Sequence, residues 1–96
     1  MRFEWDEAKN EINQKKHGIS FDTATRVFYD PNIVQYVERI EDGEERWHAV
    51  GQVAGSLLLL TVVHTWEEKG IEEVVRIISA RHASNPERKI YDEAIL

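Results

Sequence analysis

Hydrophobic positions along this chain fall into two regimes. Up to about residue 30 they recur at helical spacing, and after residue 84 helical spacing returns. Between residues 33 and 80 they alternate or run continuously, as in strands. Phe3-Glu4-Trp5 opens the chain as a short β-prone segment. Asp6 is placed to cap a helix over residues 7–16, with Ala8, Ile12 and either Lys15 or Lys16 on one face. Gly18 stands where a helix C-terminal glycine belongs, after Lys15, Lys16 and His17, cations that suit that end of the helix dipole. Ser20 caps a second helix, and Ile19 can staple onto Ala24. Phe21, Ala24, Val27 and Phe28 form its buried stripe, and Asp30-Pro31 stops it.

The strand regime begins with residues 33–40. Glu41-Asp42-Gly43-Glu44 carries an Asp-Gly hairpin signal, and residues 46–53 form the next strand. Ala54-Gly55-Ser56 turns the chain into residues 57–66, which are apolar on both faces and therefore belong at the centre of the sheet. Glu67-Glu68-Lys69-Gly70 reads as a loose turn before a last strand over residues 73–80. Ser84-Asn85-Pro86-Glu87 matches a capping box with proline in the first turn. It opens a helix through about Glu93, with Ile90, Tyr91 and Ala94 on the apolar side. Short turns between consecutive strands imply an antiparallel meander. The expected fold is α+β: about four antiparallel strands, two N-terminal helices and one C-terminal helix. The 96 residues hold no repeat or linker and read as one domain, 1–96.

Composition narrows the function classes. There is no cysteine, so disulfides, a thiolate nucleophile and cysteine-ligated zinc are excluded, and a reducing cytoplasm fits. The N-terminus has no apolar signal region, and the longest apolar run, residues 57–63, is too short to span a bilayer. A cytoplasmic protein without a membrane partner is expected. The net charge is −6, which on charge alone makes a poor nucleic-acid binder and leaves only a local basic patch for that role.

The exception to the acidic balance is Arg76-Ile77-Ile78-Ser79-Ala80-Arg81, an apolar strand with two arginines. A buried unpaired charge is costly, so each arginine must meet water, a carboxylate or a phosphate. Arg76 has carboxylates close by in Glu72 and Glu73, so a structural pair and an anion site both stand open. Period-two alternation puts Arg76 and Arg81 on opposite faces unless the strand ends or twists near Ser79-Ala80. Other cations cluster at Lys15-Lys16-His17 and Arg88-Lys89, while Arg46 and His48 share one strand face. A compact RNA-cleaving site needs a base for the 2′-hydroxyl, cations for the phosphorane-like charge and an acid for the leaving oxygen. Histidine, lysine, arginine and glutamate suffice, with no metal and no cofactor. The four histidines lack HxH, HxxxH or HExxH spacing, and there is no glycine-rich phosphate loop or GxSxG elbow. His64, late in the central strand, and Trp5, Trp47 and Trp66 suit core packing as well as ligand contact.

In order along the chain, Phe3-Glu4-Trp5-Asp6, Lys9, Asn13, Lys16-His17-Gly18-Ile19-Ser20-Phe21, Val27-Phe28, Asp30-Pro31, Glu45-Arg46, Gly51, Arg76 to Arg81, Glu87-Arg88 and Tyr91 resemble the BrnT toxin family. The resemblance implies a RelE-like fold and a type II toxin that cleaves RNA and blocks translation. It implies a BrnA-like antitoxin with a ribbon-helix-helix domain as partner, and operator DNA bound only through that complex. Carried over to this chain, Arg76 and Arg81 hold the scissile phosphate, and Lys16 or His17 assists proton transfer. Glu87 is a further catalytic candidate, although its capping box also explains it. Arg46, Arg88 and Tyr91 are the remaining matching positions, expected on RNA phosphates. A non-catalytic interaction module and an RNA- or DNA-binding regulator without cleavage are the competing classes.

Overall fold

A computed structural model describes residues 1–95. In chain order the elements are β1 (Arg2–Glu4), α1 (Glu7–His17), α2 (Phe21–Thr25) continuing into a 3-10 turn (Arg26–Tyr29), β2 (Val34–Glu41), β3 (Glu44–Gln52), β4 (Leu59–Lys69), β5 (Glu72–His82) and α3 (Asn85–Ile95). The caps stand where the sequence put them. Asp6 Oδ1 accepts from Ala8 N–H at 2.8 Å, and Ser20 Oγ accepts from Thr23 N–H at 3.1 Å. Ser84 and Glu87 close their capping box reciprocally, at 2.8 and 3.3 Å.

The sheet order is β1-β5-β4-β3-β2, with β4 central as its two-sided apolar pattern requires. β2 to β5 form the expected antiparallel meander. Three expectations need correction. The sheet has five strands rather than about four, because Arg2–Glu4 pairs parallel with β5, Phe3 opposite Val75. A three-residue strand is too short for alternation to reveal its partner. Glu67-Glu68-Lys69 is strand, not turn: pairing continues to Lys69 opposite Glu72, and the chain reverses over Gly70-Ile71, with Gly70 at φ +67°. A solvated sheet end tolerates a charge run that otherwise reads as loop. Conversely, Leu57 and Leu58 precede β4 and are exposed.

Alternation divides the sheet into two faces. On one, Phe21, Ala24 and Val27 from α2 and the 3-10 turn pack on Ala49, Leu60, Val62, Ile77 and Ala80. On the other, Tyr91 of α3 packs on Val50 and Leu59. Asp30 ties the two layers together. Its carboxylate accepts from Asn32 N–H at 2.9 Å, Gln52 N–H at 2.8 Å and the Tyr91 hydroxyl at 2.6 Å. Burial opposes ionisation of Asp30, yet these hydrogen bonds hold its pKa below the ordinary value. Gly51 permits the close approach of the 3-10 turn, since a Cβ there would sit 2.8 Å from Val27 Cγ1.

α1 departs from its apolar pattern. Ala8 and Ile12 face solvent, and the buried residues of the helix are Asn10 and Asn13. The reason lies in the edge of β5. β1 covers β5 only at Val74, Val75 and Arg76, which leaves the backbone beyond them unpaired. Asn13 fills that role. Its Nδ2 donates to the Ala80 carbonyl at 2.8 Å, its Oδ1 accepts from Ala80 N–H at 3.1 Å, and Nδ2 also donates to the Ile19 carbonyl at 2.8 Å. Asn10 Oδ1 accepts from Phe21 N–H at 2.8 Å. A carboxamide carries both donor and acceptor, so it substitutes for a neighbouring strand.

Asn13→Leu keeps the side-chain volume but orphans three buried backbone groups. A loss of about 3 kcal/mol in urea unfolding is expected; an unchanged midpoint would show that water replaces the amide without cost. Gly51→Ala is expected to cost about 1–3 kcal/mol in the same measurement, from overpacking against Val27.

Candidate active site

β5 does not end near Ser79-Ala80 but runs to His82. Its register instead slips at Ile78: Val63 pairs with Ser79 while His64 pairs with Ile77. This one-residue bulge shifts the parity of the strand. Ile77 and Ala80, three apart, both reach the helix-side core. Arg81 therefore joins the opposite face, in a row with Thr61 and Val50, and Arg76 lies on that face too. Five residues of strand still separate the arginines, roughly 16 Å at ~3.3 Å per residue. Arg76 is exposed, with Nη1 3.8 Å from Glu4 Oε1 at the β1 end.

Arg81 is held much more tightly. Its Nη1 and Nη2 donate to Glu87 Oε1 and Oε2 at 2.6 and 2.8 Å, a bidentate pair. Glu87 reaches it because the capping box fixes the first turn of α3 over β5. The Arg81 hydrogen bond pulls the Glu87 pKa down to about 2, against the opposing effect of burial and with help from Ser84. The Thr61 hydroxyl lies beneath the carboxylate without a fully formed hydrogen bond. Arg81 is stabilised as a cation, chiefly by the same bond to Glu87. Its Nε–H and second Nη2 hydrogen form no bond among the described residues, so one edge of the guanidinium is open.

Two residues outside the sequence-derived set complete this cluster. His48 Nδ1 is 3.8 Å from Glu87 Oε2, and the Tyr36 hydroxyl is 3.5 Å from the same Nδ1. Burial lowers the His48 pKa, overriding the attraction of Glu38 and Glu87, so the imidazole is neutral at pH 7. Burial, reinforced by the Glu87 charge, raises the Tyr36 pKa and keeps the phenol protonated. Alternation within β3 does place His48 beside Arg46, but the pairing of Tyr36 with His48 depends on the β2–β3 register.

On the other side of Arg81, the docking of α1 brings its C-terminal cations to the β5 edge. Lys9, Lys16, His17, Ser79 and Arg81 line a cavity of about 400 Å³. Lys16 and His17 thus line the same cavity as Arg81. Arg46 lies on the same face, with Nε 3.4 Å from Glu41 Oε2 and Nη2 3.8 Å from Glu44 Oε1. Arg88 is exposed on α3. Tyr91 is buried, and its hydroxyl donates to Asp30 rather than facing the groove. Among the described residues, no group of three or more His, Cys, Asp or Glu converges in a metal-binding arrangement.

This groove gathers lysine, histidine and arginine on an otherwise acidic protein, a local charge that attracts anions. A family model described as "Ribonuclease toxin, BrnT, of type II toxin-antitoxin system" matches residues 5–87. The chain belongs to the BrnT family. The matched span covers β1's successor α1 through the first turn of α3 and ends on Glu87, so Arg88 and Tyr91 lie beyond it. A search of curated proteins finds no match. As a BrnT protein, the chain is a ribonuclease-type toxin of a toxin–antitoxin system, for which RNA and an antitoxin are the implied partners. Among the described residues, no helix is long and apolar enough to cross a membrane.

The Glu87 pKa sets an acid limb. A carboxylate whose folded pKa of about 2 lies below its ordinary 4.5 contributes its stability fully above pH 4.5 and loses it as pH falls toward 2. Wild type is expected to lose on the order of 3 kcal/mol across that window. Glu87→Gln should start less stable at pH 7 and stay flatter below pH 4.5. Parallel acid limbs for the two proteins would remove the pair from the stability balance.

Proposed function

We propose that this BrnT protein is a metal-independent endoribonuclease that inhibits translation in the cytoplasm. In this reading a BrnA-like antitoxin with a ribbon-helix-helix domain neutralises it, and operator DNA is bound only through that complex. The observation that carries the proposal is the position of Arg81, with Lys16 and His17 in the groove on one side of it and His48 and Tyr36 on the other side, beyond Glu87. These groups supply a base, cations and an acid without a metal.

Arg81 takes the scissile phosphate on its open Nε–H/Nη2 edge while Glu87 holds the opposite edge, so Glu87 is a positioning residue. Lys16 adds charge for the developing phosphorane. Neutral His48 accepts the 2′-hydroxyl proton as that oxygen attacks phosphorus, and Tyr36 steadies the imidazole. The bond to the 5′-oxygen breaks, and that oxygen takes a proton from Lys16 or His17. A 2′,3′-cyclic phosphate and a free 5′-hydroxyl result. Arg46 and Arg88 guide flanking phosphates. Arg76, at the far end of β5, acts on RNA outside the scissile position.

Purified protein should cleave RNA in excess EDTA, and its expression should arrest growth. His48→Ala and Arg81→Ala are each expected to lower cleavage by about 100-fold or more. Undiminished cleavage in a folded double variant would take the groove out of the mechanism. RNA binding without cleavage is a second reading, favoured by the bidentate engagement of Arg81 with Glu87. It requires intact RNA to be recovered from a complex that weakens steeply with salt.

A further inference from the structure

The face of the sheet opposite the groove carries a second built feature that RNA cleavage does not use. Beyond the 3-10 turn, Gln35, Trp47, His64 and Trp66 line a cavity of about 260 Å³. Trp47 and His64 stack, with ring centroids 6.4 Å apart and planes inclined by 20°. Register places Val37 opposite Trp47 and Ile40 opposite Glu45, which extends the apolar surface along β2. Val37, Ile40 and Trp66 are exposed, Ile40 at 70%. This is a contiguous aromatic and aliphatic patch at the uncovered end of a sheet face.

His64 lines this cavity and carries a polar atom without a partner. It is 1% exposed, its Nδ1 lies 3.3 Å from the Thr65 carbonyl, and its Nε2 has no partner. Facing a carbonyl, Nδ1 carries the proton. Burial holds the ring neutral, with a pKa of about 4. Nε2 is then a buried acceptor left without a donor, an arrangement that native structures rarely leave unanswered.

Charge decides what kind of molecule supplies that donor. Glu45, Glu68 and Glu73 stand on this same half of the face: Glu45 two residues from Trp47, Glu68 two from Trp66, and Glu73 paired with Glu68. No lysine or arginine occupies a strand position there among the described residues. An RNA backbone would be repelled. A second copy of the chain, packed face to face, would set these carboxylates against their own counterparts. A segment bearing lysine or arginine is complementary.

We infer that this patch is the docking surface for the antitoxin, receiving an apolar or aromatic side chain with an N–H or O–H donor from a basic segment of that protein. The inference rests on the family's antitoxin partner and adds where it binds. Docking here leaves the groove on the opposite face uncovered by this contact, so the surface anchors the antitoxin separately from whatever blocks the RNA site.

The test uses the purified full-length chain and the cognate antitoxin in titration calorimetry. Trp66→Ala and Glu68→Lys alter exposed positions outside the groove. Trp66→Ala is expected to weaken antitoxin binding about tenfold or more, as a central interface tryptophan does. Glu68→Lys should weaken it several-fold and most strongly at low salt, and both variants should cleave RNA like wild type. The ¹⁵N resonance of His64 Nε2 should move on complex formation. Unchanged antitoxin affinity in both variants overturns the inference. So does loss of RNA cleavage in place of antitoxin binding, or a wild-type dimer that Trp66→Ala converts to monomer. Wild-type protein that binds no antitoxin overturns the partner reading itself, an outcome distinct from variants that bind as wild type does.

Discussion

The pairing of Asn13 with Ala80 is the contact on which the rest of the site depends. β1 is too short to cover β5, and a bare strand edge is both unsatisfied and prone to aggregation. One carboxamide completes the ladder and fixes α1 against the sheet. That docking carries Lys16 and His17 to the edge beside Arg81. An amphipathic helix docked through Ile12 would have turned the same cations elsewhere. The helix is positioned by hydrogen bonds rather than by apolar burial, which is why its burial contradicts its hydrophobic pattern.

Arg81 illustrates a second constraint, a guanidinium held along one edge and left open on another. Its pair with Glu87 is a stability element, since it closes α3 onto β5. The same pair presents a rigid cation with one edge open, which suits an oxyanion better than a flexible surface arginine does. The bulge at Ile78 makes this possible by returning Arg81 to the face that α3 covers. Arg76 lacks both the bulge and a close partner, and it remains an exposed residue in loose contact with Glu4.

The two faces of the sheet carry chemically opposite surfaces. One gathers Lys16, His17 and Arg81, with neutral His48 beyond Glu87. The other presents indoles, an unpartnered imidazole nitrogen and carboxylates. A net charge of −6 thus conceals a local basic groove, because composition averages over faces that a ligand meets one at a time.

The local elements were legible because their signals are local. Asp6, Ser20 and Ser84 cap helices through bonds spanning two or three residues, and Asp42-Gly43 reverses a hairpin within four. The apolar run in β4 identified the sheet centre for the same reason. Lys16, His17, Arg81 and Glu87 could be named as chemical candidates from residue type and resemblance. Their assembly could not. The β1–β5 pairing, the bulge at Ile78, the approach of Tyr36 to His48 and the polar face of α1 join residues from 12 to more than 60 positions apart. Such contacts leave no periodicity in the sequence. The sequence by itself determined the order of helices and the main strands and which residues carry charge, though not the exact strand ends. Only the tertiary structure decided which charges meet, because backbone hydrogen bonds left open at a strand edge, rather than the hydrophobic pattern, chose the face that α1 turns inward.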